Sequence, residues 1–172
     1  MRYNNSMKIF HGSDTAVPEP RIIVANRLLD FGEGFYTTSS KEQAKRWAAR
    51  VKTRRNSKNQ IISVYELNLG KAEKDLKILR FDSTNPEWLR FVTACRIGKD
   101  AGYSYDMAMG SVANDNVYAT IQLFETGLLS EQETIARLKV EEIYDQILFH
   151  TARALQYCVY VGHESAEDAS DG

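Results

Sequence analysis

The sequence predicts an α+β domain. Three observations carry that expectation. Apolar and polar residues alternate through Ile61 to Leu69, and Asp145 to Thr151 carries the apolar run Ile147-Leu148-Phe149 at its centre, so both read as strands. Segments with helix-capping residues stand between such strands, as at Asn85-Pro86 and at Ser130 with Glu133. The strands are also spaced too irregularly for doubly wound strand–helix repeats. The 172 residues, 43% hydrophobic with a net charge of -1, suit one core-forming domain. Its expected bounds are residues 1–162, followed by a polar, acidic tail at 163–172 that frays.

In chain order, Met7 to Phe10 reads as a strand delivering His11, Gly12 and Ser13 at its end. Pro18 and Pro20 make Ser13 to Arg21 a surface connection. Ile22 to Leu29, flanked by Arg21 and carrying Arg27, is ambiguous. Asp30-Phe31-Gly32-Glu33-Gly34-Phe35-Tyr36-Thr37-Thr38 reads as a glycine loop feeding a short strand. Ser39 and Glu42 have capping-box spacing, and Ala44, Trp47, Ala48 and Val51 recur at helical intervals. The cations from Arg50 to Lys58 suit the C-terminal pole of that helix, or contact with phosphates of a cofactor or nucleic acid. Leu76 to Phe81 is a strand, and Asn85-Pro86 opens a helix whose buried face is Trp88, Leu89, Phe91, Val92 and Cys95. A strand through Tyr105 to Gly110, a helix capped by Asn114 and Asp115, and a helix after Ser130 follow. Asp145 to Thr151 then places Ile147 and Phe149 on one face, with Gln146, Leu148 and His150 on the other. Gln156 to Val161 is the last strand.

Composition and motif spacing narrow the chemistry. Near-neutral charge gives no overall attraction to nucleic acid or membrane. Cys95 and Cys158 lie in apolar surroundings without CxxC spacing, which predicts buried thiols in a reducing compartment. No apolar run reaches membrane-spanning length and no signal-peptide pattern opens the chain, so a cytoplasmic protein with no membrane partner is expected. His11, His150 and His163 lack metal-ligand spacing, and no metal is expected. Gly32-x-Gly34 has Thr37 where a dinucleotide fingerprint needs its third glycine, and it precedes its strand. No GxSxG occurs, and Asp30-Phe31-Gly32 has no catalytic-loop HRD to accompany it.

What survives is His11-Gly12-Ser13 paired with Gly34-Phe35-Tyr36, then Ser40-Lys41, Ala44 and Trp47. This order resembles the ADP-ribosyltransferase superfamily, in its poly(ADP-ribose) polymerase-like and diphtheria-toxin-like branch with a His-Tyr-Glu triad. The whole chain is similar to a bacterial domain-of-unknown-function family assigned to that superfamily and often encoded beside antitoxin-like partners. The resemblance implies a single domain with a split mixed and antiparallel β core flanked by helices. It implies NAD as substrate, transfer of one ADP-ribose to a protein or nucleic-acid acceptor, and a toxin–antitoxin setting. Catalytic roles fall to His11, Tyr36 and Gln146; His11, Gly12, Ser13, Arg27, Gly34, Phe35 and Tyr36 would hold NAD. On this reading Gly12 offers its backbone to the nicotinamide carboxamide, His11 donates to a ribose hydroxyl, and the Tyr36 ring stacks on nicotinamide.

Gln146 departs from the family pattern, because an amide keeps hydrogen bonding and loses the glutamate charge. Single transfer is therefore expected over chain growth, and Gln146→Glu is expected to raise NAD hydrolysis. Asp145, Glu141 and Glu142 are the other candidates for the third position. The alternative function is a non-catalytic domain of the same fold that binds NAD, another nucleotide or a protein.

Overall fold

The computed structural model describes residues 6–23, 30–99, 102, 104–111, 115–139 and 144–167. Two sheets are built from strands distant in sequence. β1 (Ser6–Ser13), β3 (Ile61–Asn68) and β7 (Cys158–Ser165) form an antiparallel sheet in the order β1-β3-β7. β2 (Phe35–Thr37), β6 (Asp145–Phe149), β5 (Met107–Ser111) and β4 (Ile78–Arg80) form the second, in the order β2-β6-β5-β4. Only β4 and β5 run parallel. The architecture is α+β, with a mixed sheet beside an antiparallel one, as the irregular strand spacing predicts.

Three apolar layers follow from strand alternation. Ile9, Tyr65 and Leu67 of the first sheet meet Phe35, Met107, Ile147 and Phe149 of the second, closing the space between the sheets. The other face of the second sheet, through Ala108 and Leu148, is covered by α3 (Pro86–Arg96), α4 (Asp115–Glu125) and α5 (Glu131–Leu138). The outer face of the first sheet, through Ile62 with Phe10 and Val64, is covered by Ala44 and Ala48 of α1 (Lys41–Arg55).

Local signals place most boundaries. Asn85 caps α3 with Pro86 in its first turn. Ser130 and Glu133 close the expected capping box on α5. Two short helices went unforeseen: α2 (Leu69–Asp75) and α6 (Ala152–Leu155). The cap of α1 is Ser40, whose side chain accepts from the Gln43 amide, rather than Ser39. The Ser39 N–H is instead taken by the Asp145 carboxylate at 3.0 Å. The tail expected to fray from residue 163 is instead structured at its start. His163, Glu164 and Ser165 pair with Ser63, Ile62 and Ile61, and Ala166 is buried beneath α1 with its N–H on the Gln60 carbonyl. Arg27, Asn114, Glu141 and Glu142 lie outside the described residues.

Candidate functional site

The two sheets meet at one antiparallel bridge, where Phe10 and Thr38 exchange both backbone hydrogen bonds at 2.8 and 2.9 Å. Continued pairing would set Gly12 opposite Tyr36. The His11 imidazole occupies that step instead, its Nδ1 lying 2.8 Å from the Tyr36 carbonyl oxygen. The side chain thus takes an acceptor that a backbone N–H of β1 would otherwise fill, and β1 separates from β2 from this point. Strand alternation turns the Gly12 N–H and C=O the same way as those of Phe10, toward the opening.

His11 is half-buried, its ring tilted against Phe35 with centroids 4.6 Å apart. A carbonyl can only accept, so Nδ1 carries the proton and Nε2 of the neutral ring is left as an acceptor. Burial lowers the imidazole pKa below its ordinary 6.5; the Tyr36 carbonyl opposes that shift and the Arg55 charge adds to it. Donation from His11 to a ribose hydroxyl would need a proton on Nε2, which the neutral tautomer set by the Tyr36 carbonyl does not carry.

Gly12 is required by packing. A methyl group at this position would sit 1.9 Å from the Ala44 carbonyl oxygen and 2.7 Å from the Ala48 nitrogen. The space left by its missing side chain holds the α1 backbone, so ligand approach is to the strand edge, not to the Cα face. Ser13 is buried and donates to Asp14, which pairs with Arg55 at 2.7 Å. These contacts tie the end of β1 to the end of α1.

Tyr36 departs from expectation more sharply. Its backbone meets His11, but its phenol projects from the opposite face of β2 to Phe35 and packs against the layer under α3 to α5. The hydroxyl donates to the Gly32 carbonyl at 2.5 Å and accepts from the Phe31 N–H at 3.2 Å. Burial first, then nearby Asp30, raises its pKa well above 10, while the Phe31 bond opposes. The common slot expected for imidazole and phenol is therefore not formed; the ring clasps its own loop.

That loop is pinned from three sides. Tyr105 donates to the Phe31 carbonyl at 2.8 Å, and His150 Nδ1 lies 2.7 Å from the Glu33 carbonyl while its ring stacks on Tyr105. Gly32 and Gly34 both hold positive φ, at 83° and 150°. A side chain at Gly34 would start 2.3 Å from the Phe149 carbonyl oxygen. Phe35 is core, buried between the sheets.

Gln146 shares the Tyr36 face, because Tyr36 pairs with Leu148 two residues along β6. It is 2% exposed, and its Nε2 donates to the Ser111 carbonyl at 3.3 Å. The Trp88 indole donates to that same oxygen at 3.1 Å. His11 and Gln146 thus face opposite sides of the second sheet. Asp145 is committed elsewhere, accepting from Thr38 Oγ1 at 2.8 Å and from Ser39 N–H. Thr38, Asp145, Tyr105 and His150 hold the loop and strand beside the site through partners 74 to 117 residues away, which no local sequence signal reveals.

Among the described residues no group of His, Cys, Asp and Glu could hold a metal ion, and no helix is long and apolar enough to cross a membrane. No curated protein and no solved structure matches the chain significantly. A family model described as "protein of unknown function (DUF3990)" matches residues 7–160. Spanning both sheets except for Ser6 at the start of β1 and the last residues of β7, that match makes the chain a member of the DUF3990 family.

Proposed function

We propose that this chain binds NAD at the opening between β1 and β2 and transfers one ADP-ribose to a macromolecular acceptor. The setting we propose is cytoplasmic, as the toxin of a toxin–antitoxin pair, with an antitoxin protein as partner. The reading rests on the resemblance of His11-Gly12-Ser13 and Gly34-Phe35-Tyr36 to the ADP-ribosyltransferase superfamily. One observation supports it most: where His11 parts the strands, Gly12 turns a backbone donor and acceptor toward the gap. A primary carboxamide offers the complementary pair, so nicotinamide would add to the strand edge as a short strand does. Nε2 of His11 would accept from a ribose hydroxyl beside it. Breaking the nicotinamide–ribose bond builds positive charge on the sugar, as in glycoside cleavage, and the chain would act by orienting the sugar and acceptor.

A second reading has its own support. Gln146 is neutral, buried and bonded to Ser111, which favours a domain of this fold that binds NAD, another nucleotide or a protein without turnover. Labelled NAD incubated with the protein and a cell lysate separates the two. Transfer predicts label on macromolecules and released nicotinamide, both lost in His11→Ala. Binding alone predicts NAD-dependent thermal stabilisation with neither product. No stabilisation and no product would contradict both.

A further inference from the structure

The basic stretch around α1 is not used by the opening described above. Residues 41–58 hold eight of the chain's 22 lysines and arginines and one of its 23 acidic residues, Glu42. The rest of the chain is left with 14 cations against 22 acids, so one helix is strongly positive on an otherwise acidic protein. Such asymmetry, invisible in the net charge of -1, marks a surface for an anionic partner.

The arrangement narrows the partner. Lys41, Lys52 and Arg55 pair with Glu164, Glu167 and Asp14, tying α1 to the body of the protein. Ala44 and Ala48 are the face against the first sheet. Arg46, Arg50 and Arg54 lie on the other side, exposed and four residues apart, with the Arg46 guanidinium also lying over the Tyr144 ring at 4.9 Å. At 1.5 Å per residue they climb about 12 Å in two steps of about 6 Å. Like charges at this spacing cost a helix stability. A nucleic-acid strand carries a phosphate about every 3.4 Å, so this stripe spans three to four of them. Arginine is also the side chain best shaped for phosphate oxygens. A membrane-surface helix would set large apolar side chains beside the cations. Among the described residues the exposed large apolar side chains are Ile23, Ile97, Tyr118, Leu128, Val159 and Val161, none of them on α1.

We infer that the outer face of α1, through Arg46, Arg50 and Arg54, docks the phosphodiester backbone of a nucleic acid. The contact is independent of sequence and uses none of the residues placed at the β1–β2 opening.

The test is fluorescence anisotropy of the full chain with labelled 20-nucleotide single-stranded DNA, its duplex and the matching RNA, from 50 to 300 mM salt. At least one probe should bind with a micromolar dissociation constant at low salt, and affinity should fall linearly on a log–log salt plot. Arg46→Gln/Arg50→Gln/Arg54→Gln should weaken binding at least tenfold and reduce the slope by about two to three. The triple Arg→Lys variant should keep the slope, and Lys71→Gln/Arg90→Gln, away from α1, should bind as wild type. If the glutamine variant loses its thermal transition, the wild-type slope decides: a value below about two contradicts three phosphate contacts. The inference is overturned by no binding at 50 mM salt, or by an unchanged slope in a folded glutamine variant. Tighter binding to phosphatidylserine vesicles or to polyglutamate would overturn it too, in favour of a membrane or an acidic protein.

Discussion

His11 and Tyr36 are joined by one hydrogen bond, yet their side chains work on opposite faces of β2. On the face between the sheets, His11 lies against Phe35 and holds the Tyr36 carbonyl, so a side chain stands where a strand ladder would continue. On the helix-covered face, the Tyr36 phenol and the Gln146 amide are turned inward to the Gly32 and Ser111 carbonyls. The first face leaves strand-edge groups facing an opening. The second satisfies its named polar groups internally, as buried polar groups must be. Residues grouped by a sequence motif are therefore divided by strand alternation, and backbone rather than phenol is what Tyr36 brings to His11.

This contrast is broken most severely at Gly12. Gly12→Ala places a methyl group against the α1 backbone, which cannot yield as a side-chain tip can. We expect a loss above about 3 kcal/mol in urea unfolding, beyond ordinary overpacking. Retained stability would show that α1 does not lie against β1 as described.

Gln146→Glu tests the other face. A carboxylate there would confront the Ser111 oxygen with no proton to offer and would be buried among apolar groups. A loss of about 2–3 kcal/mol at pH 7 is expected. Its folded pKa would be raised, so the deficit against wild type should shrink as pH falls toward 4.5 and grow again above it. A variant as stable as wild type at pH 7, with faster NAD hydrolysis, would instead put position 146 in the open site that the resemblance implies.

Tyr36→Phe removes only the hydroxyl and its two bonds in the loop. The expected cost is about 1 kcal/mol in thermal or urea unfolding, with NAD-dependent stabilisation unchanged. Loss of that stabilisation with the fold intact would return the phenol to the ligand.

The smallest effect is on pH dependence. Burial depresses the folded pKa of His11, so unfolded chains bind the proton more readily. The neutral ring's contribution is complete above about pH 6.5 and is lost as pH falls below it. Asp14 and Asp106 add a separate acid limit. Burial opposes it, but hydrogen bonds from the Asp14 amide and Arg55, and from Lys77 and Thr151, hold both below the ordinary 3.8. His11→Phe should flatten the decline that begins below about pH 6.5 and leave the steeper carboxylate-driven loss at lower pH.

Local chemistry made much of the fold legible. Asn85-Pro86, Ser130 with Glu133, and the apolar Ile147-Leu148-Phe149 act through neighbours in sequence, and each lies where that chemistry puts it. The misreadings share a long-range cause. Ser39 and Ser40 are equivalent caps until Asp145, 106 residues away, takes the Ser39 amide. His163 to Ser165 look like a polar tail until β3 pairs with them. In the site, glycine and histidine could be picked out, but the identity of the free imidazole nitrogen depends on a carbonyl 25 residues away.

His11 parts β1 from β2, and on the proposed function the Gly12 edge and the His11 Nε2 meet NAD there. Nitrogen-15 NMR of the histidine rings and backbone during NAD titration tests it directly. Before ligand, His11 should be neutral with its proton on Nδ1, and NAD should then bring saturable shifts at His11 Nε2 and the Gly12 amide. A His11 protonated at Nε2, or shifts that bypass both groups as NAD saturates, would contradict it.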